Sequence, residues 1–89
     1  MKQFRLGTAV KITTILSIDN PDSVKITIED PSDIEKVSSA SMTKEADGIY
    51  YYIWQSDEDD DDEGQYEATI KATKGSYTAL SKIVFEMIE

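Results

Sequence analysis

Residues 10–18, VKITTILSI, alternate between apolar and polar side chains along most of their length. Successive side chains of a β-strand point to opposite faces, so a period of two residues indicates a strand with one buried face. The even positions are V, I, T, L and I, and Ile15 is the one apolar residue on the polar face. We therefore predict a half-buried strand from Val10 to Ile18.

The same alternation recurs along the rest of the chain. The residues assigned to the buried face are Val24, Ile26 and Ile28; Tyr50, Tyr52 and Trp54; Tyr66, Ala68, Ile70 and Ala72; and Ile83, Phe85 and Met87. A short first strand around Phe4–Leu6 and a short edge strand within 39–44 complete a predicted set of about seven strands.

Turn-forming residues separate these stretches. Asp47-Gly48 and Lys74-Gly75 are typical of tight hairpins. Proline at Pro31 interrupts the alternation and predicts a turn after the second strand. The pattern Ser32-Asp33-Ile34-Glu35 matches a helix capping box, but no apolar helical stripe follows it, so it supports one helical turn at most.

Seven short strands with one apolar face each are buried best as two packed sheets, because a single sheet would leave its apolar face in water. The sequence therefore predicts an all-β, two-sheet antiparallel β-sandwich. Residues 1–89 are expected to form one domain, since no linker or repeat is apparent.

The charge of the chain disfavours two classes of partner. Eighteen acidic residues against nine basic ones give a net charge of −9, whereas nucleic acids and anionic membranes attract basic surfaces. We expect neither partner. No apolar run is long enough for a membrane span, and residues 1–5 are not followed by the apolar stretch of a signal peptide. The compartment is left open.

The composition also argues against catalysis. The chain has no histidine and no cysteine, which removes the commonest general base and the thiolate nucleophile. Ser81 and Lys82 are neighbours in a predicted strand, so their side chains point to opposite faces and cannot form a dyad. We expect no enzymatic activity and no cofactor.

Residues 57–63, DEDDDDE, hold seven of the eighteen acids. Asp-rich loops can supply the oxygen ligands that calcium prefers. The first six positions of an EF-hand loop are matched from Asp59, but the twelfth position is Ile70 where a glutamate is required. The main interpretation is a solvated loop without metal, which repels itself and stays extended. The alternative is a weak calcium site, whose candidate ligands are Asp57, Asp59, Asp61 and Asp62.

A second apolar face is the other candidate site. The predicted core residues of the strand at 49–54 alternate with Ile49, Tyr51 and Ile53. Further candidates for the same face are Leu80, Val84 and Ile88. Exposed apolar patches often mark interfaces. The alternative is that residues 34–46 lie over this face and cover it.

The segment Asp62-Glu63-Gly64-Gln65-Tyr66-Glu67-Ala68 resembles the Asp-x-Gly-x-Tyr-x-Cys signature of immunoglobulin-like domains. The resemblance implies that Tyr66 forms a tyrosine corner, in which its hydroxyl bonds the backbone a few residues upstream. Ala68 stands where the family has cysteine, which excludes the inter-sheet disulfide and points to Cys-free members.

Four further segments are similar to small immunoglobulin-like proteins of phage, prophage and archaeal gene clusters: FRLGTAVKIT at 4–13, DPS at 30–32, MTK at 42–44 and GIYYYIW at 48–54. The resemblance implies a structural, adhesive or assembly role by association only. The expected function is a non-enzymatic structural or protein-interaction module of a virion or microbial surface assembly. Its partner is another protein or a second copy.

Overall fold

A computed structural model describes all residues from Met1 to Glu89, and every regular element in it is a β-strand. The eight strands are β1 (Lys2–Arg5), β2 (Ala9–Ile15), β3 (Ser23–Glu29), β4 (Glu35–Ser41), β5 (Thr43–Ala46), β6 (Ile49–Gln55), β7 (Gly64–Lys74) and β8 (Tyr77–Ile88). The predicted all-β class is confirmed, and the predicted strand number is one too low.

The strands form two sheets. The larger sheet has five strands in the order β1-β8-β7-β3-β4, and the smaller has three in the order β2-β6-β5. All neighbouring pairs are antiparallel except β1 and β8, which run parallel. No helix long and apolar enough to cross a membrane is present.

The core lies between the sheets and contains most of the residues that the alternation assigned to it. Tyr50, Tyr52 and Ile83 are only partly buried and pack against its edge. Val10 and Ile12 of the small sheet and Ile26 and Ile70 of the large sheet are buried in one continuous cluster. The prediction that Trp54 faces inward is also confirmed, since its side chain is buried in the same cluster.

Aromatic rings join the two sheets within this core. The ring of Trp54, from the small sheet, lies 5.3 Å from the ring of Tyr66 and 6.3 Å from that of Phe85, both of the large sheet. Phe4 meets Phe85 edge to face, with ring centroids 5.9 Å apart. Such pairs add to the free energy of burial itself, so these rings are a main contact between the layers.

The edge strand predicted within 39–44 is two strands, because the chain changes sheets at Met42. Residues before Met42 pair with β3, whereas those after it pair with β6. The Met42 amide donates to the carbonyl of Val24 at 2.9 Å and its side chain enters the core. The segment predicted as one edge strand therefore contributes to two edge strands, β4 in the larger sheet and β5 in the smaller.

The helical turn considered for Ser32–Glu35 does not form. The buried carboxylate of Asp30 instead accepts the amides of Ser32 and Ile34 at 2.8 and 2.9 Å. Asp33 takes a left-handed φ of 63°, which helices exclude. This side-chain-stabilised turn leads directly into β4.

Candidate functional site

The outer face of the three-stranded sheet carries the residues proposed as an interface. Ile49, Tyr51 and Ile53 project from β6, the central strand, on the side away from the core. Ile53 is 54% exposed, whereas Ile49 and Tyr51 are half-buried by neighbours on the same face. The structure brings these three side chains together as the alternation predicted.

A fourth isoleucine extends this surface. Ile15 of β2 lies directly opposite Ile49 in the sheet and is 80% exposed. It appeared in the sequence only as the residue that broke the alternation of 10–18, and that irregularity was the available signal. We call the surface formed by Ile15, Ile49, Tyr51 and Ile53 the small-sheet face.

A charged pair crosses the small-sheet face. The Lys11 ammonium lies 4.9 Å from the ring centroid of Tyr51 and 2.8 Å from the Glu45 carboxylate. Its hydrogen bond and charge interaction with Glu45 raise the pKa of Lys11 above the usual value of a lysine. Cation–π and ion-pair contacts therefore hold the Tyr51 ring in place from one side.

The alternative that residues 34–46 cover this face is wrong. The later part of that segment forms β5, which pairs with the edge of β6 instead of lying over its outer side chains. All four residues of β5 are exposed. The small-sheet face is therefore open to solvent.

Leu80 and Val84, grouped with this face from the sequence, belong elsewhere. They lie on β8 of the five-stranded sheet, where Leu80 is 70% and Val84 36% exposed. Ile88, also grouped with this face from the sequence, lies on β8 as well, so none of the three belongs to the sheet that carries Ile49, Tyr51 and Ile53.

Two carboxylates of the acidic segment 57–63 accept hydrogen bonds from its own backbone amides. Asp57 Oδ1 accepts the amide of Asp59 at 2.8 Å, and Asp61 Oδ2 accepts the amide of Asp57 at 2.7 Å. Asp59 and Asp62 use no carboxylate oxygen in a hydrogen bond or ion pair. The segment is thus a series of turns capped by Asp57 and Asp61.

A single lysine ties this loop to the turn before β4. The Lys36 ammonium is 3.3 Å from Asp61 Oδ1 and 4.0 Å from Asp30 Oδ2. Local sequence gave no sign of this bridge to the acidic loop, because Asp61 is distant from Lys36 along the chain. No group of three or more acidic side chains is arranged to hold a metal ion, so the geometry does not favour the calcium alternative.

Tyr66 anchors the end of the same loop. Its hydroxyl donates to the backbone carbonyl of Asp62, four residues upstream, at 2.7 Å. Burial, with the charges of Asp61, Asp30 and Asp62, raises the pKa of Tyr66 to about 12. This hydroxyl is therefore a permanent donor at neutral pH.

Glycine is required two residues before this anchor. Gly64 has φ 130°, and a Cβ there would lie 2.8 Å from Cγ of Pro31. The β6–β7 loop can therefore pack closely against the turn before β4 only because residue 64 has no side chain.

Ser56, a buried residue that the sequence analysis did not single out, fixes the beginning of β2. Its hydroxyl donates to the carbonyl of Thr8 at 2.7 Å and accepts the amide of Gly7 at 2.9 Å. The side chain is satisfied in both directions, and no buried side-chain polar atom of the protein lacks a partner. This contact places the acidic loop beside the start of β2.

A comparison with protein-family models found no match for this chain, and a search of curated proteins found no significant match.

Proposed function

We propose that this chain is a non-enzymatic structural or protein-interaction module with an immunoglobulin-like sandwich fold. Three features support the fold assignment: the corner bond of Tyr66, the inward-facing Ala68 two residues later, and Trp54 packed between the sheets. The resemblance to phage, prophage and archaeal proteins favours a place in a virion or microbial surface assembly.

The proposal of an interaction module rests mainly on the small-sheet face. Single exposed apolar residues are ordinary on protein surfaces, but here Ile15, Ile49, Tyr51 and Ile53 adjoin one another in the ladder between β2 and β6. Contiguous apolar patches of this kind mark interaction sites. The ion pair of Lys11 and Glu45 crosses this patch over the Tyr51 ring and adds a polar contact to it.

The proposal that the protein has no enzymatic activity rests on the scarcity of side chains suited to proton transfer. With no histidine or cysteine, a catalytic base would have to be a carboxylate or a lysine. In the acidic loop, Asp57 and Asp61 are already engaged as acceptors for backbone amides.

The experiment compares Ile53→Lys with Leu80→Lys in the organism that makes the protein. Both positions are exposed apolar residues on outer strand faces, one on each sheet. We expect Ile53→Lys to release the chain from the particle or surface fraction with which it co-purifies, because burying an unpaired charge in an interface is costly. Leu80→Lys should remain bound. Equal behaviour of the two variants would contradict the proposal.

A further inference from the structure

The outer face of the five-stranded sheet holds two lysines directly opposite each other. Lys25 of β3 and Lys71 of β7 are partners in the ladder between these strands, and their neighbours in each strand point into the core. Side chains opposite each other on one face have Cβ atoms about 4.5 to 5.5 Å apart, and like charges in this position are destabilising. These two residues, which we call the lysine pair, therefore repel each other across the sheet.

No carboxylate neutralises the lysine pair. Lys25 donates to the hydroxyl of Ser41 at 2.8 Å, and Lys71 forms no ion pair. The lysines that do form ion pairs with carboxylates are Lys11, Lys36, Lys44 and Lys82. The chain has eighteen acidic residues against nine basic ones, yet here two basic residues without an ion pair face each other in a ladder. No other ladder of the protein has such a pair.

Two hydroxyl groups beside the lysine pair are left with a hydrogen to donate. The Thr27 hydroxyl accepts the amide of Ser39 at 3.1 Å, and the Ser41 hydroxyl accepts the Lys25 ammonium at 2.8 Å. A hydroxyl group carries one hydrogen besides its two lone pairs. Because an N–H group already occupies each oxygen, these hydroxyls are free to act as donors towards an added acceptor.

A groove of about 430 Å³ lies over the lysine pair. Besides the two lysines and Leu80, its lining consists of five hydroxyl residues: Ser23, Thr27, Ser39, Thr69 and Thr73. Sites for small ligands typically begin at about 300 Å³, so the groove is larger than a single ion needs. The lining offers ammonium and hydroxyl donors and contains no carboxylate.

The acidic residues of this face are distant from the lysine pair. Glu29 and Glu67 are each four residues along the strand from Lys25 and Lys71, a separation of about 14 Å at about 3.4 Å per residue. Glu67 is also paired with Lys82. The acidic loop ends where β7 begins, about 24 Å along the strand from the lysine pair. The Debye length at physiological salt is about 8 Å, so these charges do not prevent an anion from binding.

We propose that the lysine pair binds a tetrahedral oxyanion, the phosphate or sulfate group of a small ligand. Lysine binds phosphate as a point charge, whereas planar carboxylates are favoured partners of arginine, and no arginine lines the groove. The bound oxyanion relieves the repulsion between the two ammonium groups, and hydroxyls such as that of Thr27 donate to its oxygens. This inference goes beyond the proposed function and does not depend on it, since the small-sheet face belongs to the other sheet.

An NMR titration of the full chain with sodium phosphate, and separately with sodium sulfate, tests the site. Sodium chloride at the same ionic strength is the reference, because it screens charges without offering a tetrahedral oxyanion. We expect saturable shifts of the Lys25, Thr27, Thr69 and Lys71 amide signals, half complete at about 1 to 10 mM, a weak affinity that suits an open groove. The absence of saturable shifts with both anions, or equal shifts with chloride, would overturn the inference.

Two variants separate the lysine pair from the general charge of the chain. Lys71→Gln removes one charge of the pair, and Lys2→Gln removes the same charge from an exposed lysine of β1 that forms no ion pair. We expect Lys71→Gln to weaken binding of the anion by about tenfold, because a charge-assisted contact is lost. Lys2→Gln should change the affinity by less than about twofold. Equal affinities of the two variants would overturn the inference.

Thermal unfolding gives a second measurement on the same proteins. Without added anion, Lys71→Gln should melt no lower than the wild type, since it removes the repulsion with Lys25. Phosphate at about 50 mM should then raise the melting temperature of the wild type and of Lys2→Gln more than that of Lys71→Gln, relative to chloride at the same ionic strength. An equal rise in all three proteins would overturn the inference.

Discussion

Individual polar residues hold the loop end of this molecule in place. Tyr66, Asp30 and Ser56 are buried, and each has a hydrogen-bond partner in the backbone. Burying such groups without partners would cost more free energy than their bonds contribute. Each of these side chains bonds the backbone of one particular loop or turn, so replacing it should disturb that segment.

Replacing Tyr66 with phenylalanine should lower the free energy of unfolding by about 1 to 2 kcal/mol, because the carbonyl of Asp62 loses its donor. Urea unfolding at neutral pH measures the change. A variant as stable as the wild type would show that the corner bond contributes nothing.

The same pair should respond to alkaline pH. The pKa of Tyr66 is raised from 10.0 to about 12 in the folded state, so its stabilising contribution is complete below pH 10 and is lost as the pH rises through about 12. The stability difference between wild type and Tyr66→Phe should therefore shrink between pH 10 and pH 12. A difference that stays constant over this range would contradict the pKa shift.

The sequence predicted the positions of individual residues where the information was local. Alternation placed Trp54 and Ile70 in the core because a strand has only two faces. It missed Lys36, whose role depends on carboxylates brought near by the fold. It also missed Ser56, because a serine after a strand reads as a loop residue unless its buried partners are known.

Among the elements, the β6–β7 loop differs most from what the sequence predicted. A run of seven acids suggested a self-repelling, extended segment, yet Asp57 and Asp61 cap its turns and Lys36 fastens it. The acids of this loop are therefore not equivalent to one another.

The variants Asp60→Asn and Asp61→Asn should have opposite effects. Asp60 uses no carboxylate oxygen in a bond, so losing its charge should relieve repulsion and raise the melting temperature slightly. Asp61→Asn removes the ion pair with Lys36 and should lower stability by about 0.5 to 1 kcal/mol. Thermal unfolding measures both, and equal shifts would contradict the distinction.

Calcium should produce only small, non-saturating shifts in the amide NMR signals of residues 57–64. The expectation follows from the carboxylates of Asp57 and Asp61, which already accept backbone amides. Saturable shifts confined to this loop below about a millimolar would favour the calcium alternative, given the affinities of extracellular calcium modules.

The strands themselves were predictable, but their assignment to sheets was less so. The change of sheet at Met42 depends on a pairing partner on each side of one residue. No local pattern encodes that choice, because both flanking segments are short and polar. The bulge at Ser39 likewise depends on the register of β4 against β3.

At the scale of the whole molecule, the two outer faces have different character. The five-stranded sheet places Lys25 directly opposite Lys71, and serines and threonines surround this pair. The three-stranded sheet presents the isoleucines of the small-sheet face and the free edge of β2. The interaction surface that we propose therefore lies on one side of the sandwich-like fold. The sequence predicted the apolar residues of this surface but not its extent, which requires knowing that β2 is an edge.

A photo-crosslinking residue placed at position 53, in the organism that makes the protein, tests this assignment most directly. The matched control carries the same residue at position 80, on the five-stranded sheet. We predict that position 53 yields a discrete crosslinked protein, which can be a second copy or another chain, and that position 80 yields none. Crosslinks from position 80 alone, or none from position 53, would contradict the assignment of the interaction surface to the three-stranded sheet.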